Sequence, residues 1–331
     1  MNKYNYIVVC INNKMYDYAY SQLNELDCTF FDNNFPKGNV RRLFHKACFG
    51  KRTNKFIPNI LKQYWINKRI QYYLKIKSSF SNSDLPICFI LFSNCLPIER
   101  YGLTQKLRDS FNDCKVVYFF QDLVSTDPNK QYFLSHDRKK VDAIISYDPK
   151  DAEKYNLFFH NVPCSIMTDT EKTICSDICF IGRAKNRLDK IYEAFEYFHS
   201  LGLRCDFHVS GVNESEKKYV EYIDFFNEVS YETYLRYFEQ SRIILEIVQE
   251  GSSGNTTRIN EAIALGKMFI SNNTSLKNNP LYYPKYMCSY TSLNDINEDF
   301  LRKPGAEYPK QFIDSIRPAK FIEYVENTVL C

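Results

Sequence analysis

The sequence predicts an α/β protein made of two doubly wound, Rossmann-like domains facing a cleft. Three observations lead there. Short apolar runs recur along the chain, and most are continuous rather than alternating, as in parallel strands covered on both faces. Stretches of helical period separate these runs. The alternation lapses once, in the polar stretch MTDTEKTICSD (167–177), and then restarts. A chain of 331 residues is long enough for each half to bury its own core. The expected divisions are 1–168, 169–315 and a terminal helix within 316–331 that is free to pack back on the first domain.

In the first domain KYNYIVVCI reads as a strand and Tyr16–Leu26 as a helix. The next clear helix is Ile57–Ile76, followed by a strand at 86–92, a helix at 98–110 and a strand at 115–120. A helix near 129–139 and a strand at 142–147 come next. Asp148 before Pro149 is a helix cap followed by the proline favoured in a first turn, so a short helix opens there. After the break DICFIG (177–182) is a strand, Arg187–Leu201 a helix and CDFHVSG (205–211) a strand. Ser215–Phe225 and Tyr231–Gln240 look helical. The segment RIILEIVQEGSSGNTTRINEAIALGKMFISNN (242–273) reads as strand, glycine loop, helix and strand. YMCSY (286–290) is a weaker strand and Pro318–Asn327 a terminal helix.

The apolar start Tyr6–Ile11 is too short for a signal peptide, and no run reaches the roughly 18 residues of a membrane span. Twelve cysteines sit mostly inside apolar runs and form no C-x-x-C, which suits reduced thiols in a cytoplasmic protein. The net charge of +4 is unevenly spread. Residues 33–83 hold twelve Lys and Arg and no Asp or Glu, which leaves 31 basic against 39 acidic residues elsewhere. An anionic partner for this early segment follows. Within it, the helix 57–77 mixes Lys62, Lys68 and Arg69 with Trp65, a composition suited to the inner face of an anionic membrane or to an acceptor attached to it.

No G-x-G-x-x-G, G-x-x-x-x-G-K-[ST] or G-x-S-x-G occurs, which argues against dehydrogenases, P-loop enzymes and α/β-hydrolases. No Asp-x-Asp occurs either, so neither a metal nor a cofactor is expected. Two strand-end loops suit an anion instead. Gly182 allows close backbone approach, and Arg183, Lys185 and Arg187 follow it. Cations are poorly placed at a helix N-terminus unless an anion joins them. In the second loop Gly254, Asn255, Thr256, Thr257 and Arg258 put backbone N–H groups, two hydroxyls and a guanidinium at a helix start. Capping explains the hydroxyls but not Glu261, because Arg258 stands three residues before it. In the first domain Asp122 ends the strand KVVYFFQD and Asp17 lies near the first strand-end loop, which makes both candidate bases at the carboxyl edge of a sheet.

The run Gly182-x4-Arg187, Tyr231-x2-Tyr234-Leu235, Ser241-Arg242-x2-Leu245-Glu246 and Gly254-x-Thr256-x-Arg258-x2-Glu261-Ala262-x3-Gly266-Lys267 resembles bacterial GT-B glycosyltransferases, chiefly those that build capsules and lipopolysaccharide. The likeness covers most of 177–273, and Tyr118-x2-Gln121-Asp122 adds to it. It implies a nucleotide-sugar donor on the C-terminal domain and a glycan acceptor, lipid-linked, on the other. It also implies that Glu261 holds the ribose, that Thr256, Thr257 and Arg258 meet the phosphates, and that 225–231 lies near the base. Ser253 stands where the related E-x7-E signature has its first glutamate, so the sugar and the anomeric outcome stay open. A nucleotide-sugar epimerase of the same architecture and a non-enzymatic nucleotide or polyanion binder are the rival readings. Nucleic acid is not an expected partner, since the basic run lacks a recognisable module.

Overall fold

Two six-stranded parallel sheets organise the residues described by a computed structural model, namely 2–11, 13–50, 52–166, 173–249 and 257–331. One compact unit comprises Met1–Ser165 with Arg317–Cys331, and the other Ile166–Ile316.

The first sheet contains β1 (Asn5–Val9), β2 (Thr29–Asp32), β3 (Ile87–Phe92), β4 (Lys115–Phe120), β5 (Ala143–Ser146) and β6 (Phe158–Phe159), in the order β2-β1-β3-β4-β5-β6. Its helices are α1 (Lys14–Ala19), α2 (Asn39–Phe49), α3 (Asn59–Lys77), α4 (Leu96–Glu99), α5 (Leu103–Ser110), α6 (Pro128–His136) and α7 (Pro149–Tyr155). The second sheet contains β7 (Ser176–Arg183), β8 (Cys205–Ser210), β9 (Ile223–Phe226), β10 (Ser241–Glu246), β11 (Met268–Ser271) and β12 (Met287–Ser289), in the order β12-β11-β10-β7-β8-β9. With it come α8 (Leu188–Ser200), α9 (Tyr231–Glu239), α10 (Arg258–Leu265), α11 (Glu298–Leu301) and α12 (Lys310–Ser315). The chain closes with α13 (Pro318–Tyr324).

The continuous apolar runs have a direct cause in the first sheet. Side chains alternate between faces along a strand, and both faces carry a core. Ile7, Phe89 and Tyr118 pack with Ile66, Ile70 and Tyr73 of α3 and Leu107 of α5. Tyr6, Ile90 and Phe119 pack on the other face with Tyr16 of α1 and Phe321 and Ile322 of α13. The Phe119 and Phe321 rings lie 4.8 Å apart, and the Tyr6 hydroxyl donates to Glu326 at 2.6 Å. The C-terminal helix is thus part of the first unit.

The strand order of the second sheet, counted within its unit, is 3-2-1-4-5-6, and it reverses between β7 and β10. In the first sheet the reversal falls between β1 and β3. Open sheets of this kind take ligands outside the carboxyl ends of the strands at such switch points.

Several elements differ from the sequence reading. The proposed helix 98–110 is two helices, because Gly102 sits at φ +86° and breaks the run. Ser215–Phe225 is not a helix: a 3-10 turn spans Glu214–Glu216, Tyr219 adopts φ +58°, and Ile223 starts an edge strand paired with β8. Neither β2 nor α2 was expected, and β2 has a large consequence. It supplies Asp32, which lies 3.1 Å from the guanidinium of Arg69. The Tyr73 hydroxyl donates to the same Asp32 oxygen at 2.7 Å, and Arg69 stacks over Phe35 at 4.6 Å. Arg69 is 1% exposed and Lys62 is 4% exposed, with its ammonium 4.4 Å from the centre of the Tyr101 ring. Both therefore drop out as membrane contacts. Lys62, Ile66, Arg69, Ile70 and Tyr73 recur at helical spacing along the face that α3 turns to the sheet. Trp65 is half-buried against Phe35 and His45, and only Lys68 of that set is exposed. All twelve cysteines are free thiols. Among the described residues no helix is long and apolar enough to cross a membrane.

Candidate functional site

The switch point of the second unit is built around Gly182. This residue is next to last in β7, beside β10, and a side chain there would crowd both arginines: a Cβ would stand 3.0 Å from Nη2 of Arg258 and 3.3 Å from Nη2 of Arg187. Two guanidiniums therefore converge on one glycine. Arg258 reaches it from the first residue of α10 and donates to the carbonyl of Ile181 at 2.7 Å. Arg187 reaches it from the start of α8. It donates to the carbonyl of Arg183 through Nη2 at 3.1 Å and through Nε at 3.3 Å, and to the carbonyl of Ile247 just beyond β10.

Both arginines are buried, at 7% exposure for Arg187 and 9% for Arg258. Burial pushes the Arg187 pKa down to about 10, and the neighbouring Arg258 charge pushes the same way. Glu246, buried at the end of β10, offsets part of this, and its other role is to accept from the Ser271 hydroxyl at 2.5 Å. For Arg258, burial opposes the charge, but Tyr234, Glu246 and Glu261 outweigh it and the net shift is upward. Two buried like charges side by side at a strand-end crevice are costly, and Glu246 and Glu261 offset part of that cost from within the protein. α10 begins at Arg258, so the positive end of its dipole lies at the residue whose side chain reaches the end of β7.

Glu261 lies one turn into α10 and is 1% exposed. Its two oxygens accept from the hydroxyls of Tyr231 at 2.7 Å and Tyr234 at 2.9 Å, whose rings stack at 5.4 Å in the first turn of α9. Burial raises its pKa; the Tyr231 hydrogen bond, the Arg258 charge, and hydrogen bonds from Tyr234 and Thr257 offset only part of that rise. Three hydroxyl donors, from Tyr231, Tyr234 and Thr257, thus meet this carboxylate.

Of the expected donor-binding residues, the fold thus gathers Gly182, Arg187, Arg258, Thr257 and Glu261. Arg183 and Lys185 are exposed, with Lys185 at φ +47° in the turn before α8. Gly254, Asn255 and Thr256 lie outside the described residues. Glu246, Tyr231 and Tyr234 stand in the motif that carries the resemblance but had no individual role in the sequence reading. The available signal for Glu246 was an acid closing an apolar strand.

The switch point of the first unit holds a cavity of about 270 Å³ lined by Ile11, His45, Lys46, Phe49, Asn94 and Pro97, among others. Asn94, after β3, donates to the carbonyl of Ile11, after β1, at 3.2 Å. Burial and the Arg69 charge push the His45 pKa down to about 3, so its imidazole is neutral. Asp122 is exposed in the loop after β4, and its carbonyl accepts from Lys130 at 2.7 Å. Asp17, in α1, accepts from Asn33 at 2.7 Å. Both acids belong to the carboxyl side of the sheet.

Neither a family model nor a curated protein matches the sequence. Solved structures do match. An α-glucosyltransferase in complex with UDP and a 13-mer DNA containing an HMU base has a TM-score of 0.58 at 10% identity, over 98% of this chain and 99% of that one. An α-glucosyltransferase in complex with UDP-glucose and DNA containing an abasic site has a TM-score of 0.50 at 10% identity, over 98% and 91%. A UDP-GlcNAc 2-epimerase from Neisseria meningitidis bound to UDP-GlcNAc has a TM-score of 0.45 at 10% identity, over 97% and 94%, too low to carry an argument. At these identities the likeness defines architecture. The chain has the two-domain, Rossmann-like GT-B fold.

Proposed function

We propose that this chain transfers a sugar from a nucleotide-sugar donor held by its second unit to a hydroxyl of an acceptor held by its first. The observation that carries the reading is the convergence of Arg187 and Arg258 on Gly182 at the β7–β10 switch point. Breaking the glycosidic bond of a nucleotide sugar builds negative charge on the departing diphosphate. Two preorganised guanidiniums and a helix N-terminus stabilise that charge without a metal. Arg183, Lys185, Thr257 and the 254–256 loop complete the phosphate contacts in this reading. Glu261, steadied by two tyrosines, takes a ribose hydroxyl. Asp122 is the base candidate for the acceptor hydroxyl if the reaction inverts, and Asp17 is the alternate.

For the acceptor we propose a surface-glycan precursor on a lipid carrier, bound at the Ile11–Asn94 cavity, whose neutral His45, Lys46 and Asn94 suit sugar hydroxyls. A nucleic-acid acceptor is a second reading, favoured by the DNA held in the two α-glucosyltransferase structures. Release of nucleoside diphosphate from a nucleotide sugar distinguishes these readings. We expect release that depends on a glycolipid acceptor. Release that needs hydroxymethylated DNA instead supports the second reading. A sugar isomer formed with no acceptor supports an epimerase and contradicts transfer.

A further inference from the structure

Large apolar side chains are left in solvent along one short segment of the first unit. Val40, Leu43 and Phe44 come from α2, Phe56 from the turn Asn54–Phe56, and Ile60 and Leu61 from the first turn of α3. Phe56 is 84% exposed and Ile60 77%. The α2 residues stand at i, i+3 and i+4, one face of the helix, while His45, Cys48 and Phe49 bury the opposite face. In α3 the exposed residues lie away from the face that buries Lys62, Ile66 and Arg69. α2 packs against both the turn and α3, so these residues share one surface region. Soluble proteins seldom leave so much adjacent apolar surface uncovered.

The charges around it select the occupant. Lys37, Arg41, Lys46, Arg52, Lys55 and Lys68 are exposed on the same elements and their flanks, and the sequence places no acid between residues 33 and 83. Lys68 lies over the ring of Tyr64 at 5.5 Å. A second copy would set cations against cations. A nucleic acid would meet the cations and leave the aliphatic groups bare. A bilayer of anionic phospholipid satisfies both, with apolar side chains at the headgroup–acyl boundary and cations at the phosphates.

We propose that α2, the Asn54–Phe56 turn and the start of α3 form a membrane-docking face for anionic phospholipid. The inference is drawn from exposure and charge alone and is independent of the transferase reading. It is tested by flotation of the full chain with phosphatidylcholine vesicles, with and without phosphatidylglycerol. Wild type is expected to float with the anionic vesicles and to remain behind with the neutral ones. Combined Phe44→Ser, Phe56→Ser and Ile60→Ser substitutions should weaken vesicle binding by at least about tenfold, with an unchanged melting temperature because these side chains touch solvent. A triple variant that binds as wild type does, or a wild type that ignores anionic vesicles, overturns the proposal. So does a dimer, or a complex with duplex DNA, that the same substitutions abolish while vesicles go unbound.

Discussion

Arg258→Ala is expected to lower turnover of a nucleotide sugar by about 100-fold or more, the loss seen when one preorganised partner of a developing charge is removed. The expectation rests on where this guanidinium is held. The first residue of α10 carries it, the carbonyl of Ile181 orients it at 2.7 Å, and Gly182 leaves it the space. Arg187 compensates only in part, since three of its five N–H donors are held by the carbonyls of Arg183 and Ile247. Arg258→Lys keeps a charge but loses the planar fork, and should fall between the two. Removal of Arg258 also strips a compensating charge from Glu246 and Glu261, so the melting temperature must be followed alongside the rate. A folded Arg258→Ala protein with near-normal turnover contradicts the assigned role.

Arg69→Met is expected to destabilise the first unit by about 3–5 kcal/mol, the cost of breaking a buried ion pair from one side. Among the described residues, Asp32 would then keep the Tyr73 hydroxyl at 2.7 Å and the Phe35 N–H at 3.2 Å for a charge shut away from water. The stacking of the guanidinium on Phe35 would go too. The chain has a single tryptophan, Trp65, which contacts Phe35, so its fluorescence reports on this unit directly during urea unfolding. Replacing Asp32 by Asn in the same protein should recover part of the loss, because no uncompensated charge remains. A loss below about 1 kcal/mol for Arg69→Met would mean that the pair is not buried as described.

The parallel-sheet architecture was legible because both faces of each central strand are covered, and that leaves an unbroken apolar run in the sequence. Gly182, Arg258 and Glu261 were legible because glycine, cation and acid stand where strands end and a helix begins. The role of Arg69 was not. Its counter-ion lies in the four-residue strand TFFD, too short to announce itself, and a cation without its partner reads as a surface charge. Helical spacing with Ile66, Ile70 and Tyr73 carried the correct answer, but charge outweighed it. The exposed apolar row of α2 and α3 was not legible either, since the exposure of Val40, Leu43 and Ile60 follows only from which helix faces the fold buries. The stretch before β9 misled because KKYVEYIDFF has helical spacing, whereas its aromatic and β-branched residues favour an edge strand.

In the proposed function the paired arginines at Gly182 hold a diphosphate. Thermal unfolding with nucleoside diphosphates and the matching monophosphates tests it most directly. At a ligand concentration about 100 times its Kd, a bound diphosphate stabilises the folded protein by about 2.7 kcal/mol. For a domain of this size that is a rise of roughly 5–10 °C. Such a rise is expected with at least one nucleoside diphosphate, a much smaller one with its monophosphate, and loss of the difference in Arg258→Ala. Equal shifts from mono- and diphosphate, or none from any nucleoside diphosphate, would contradict it.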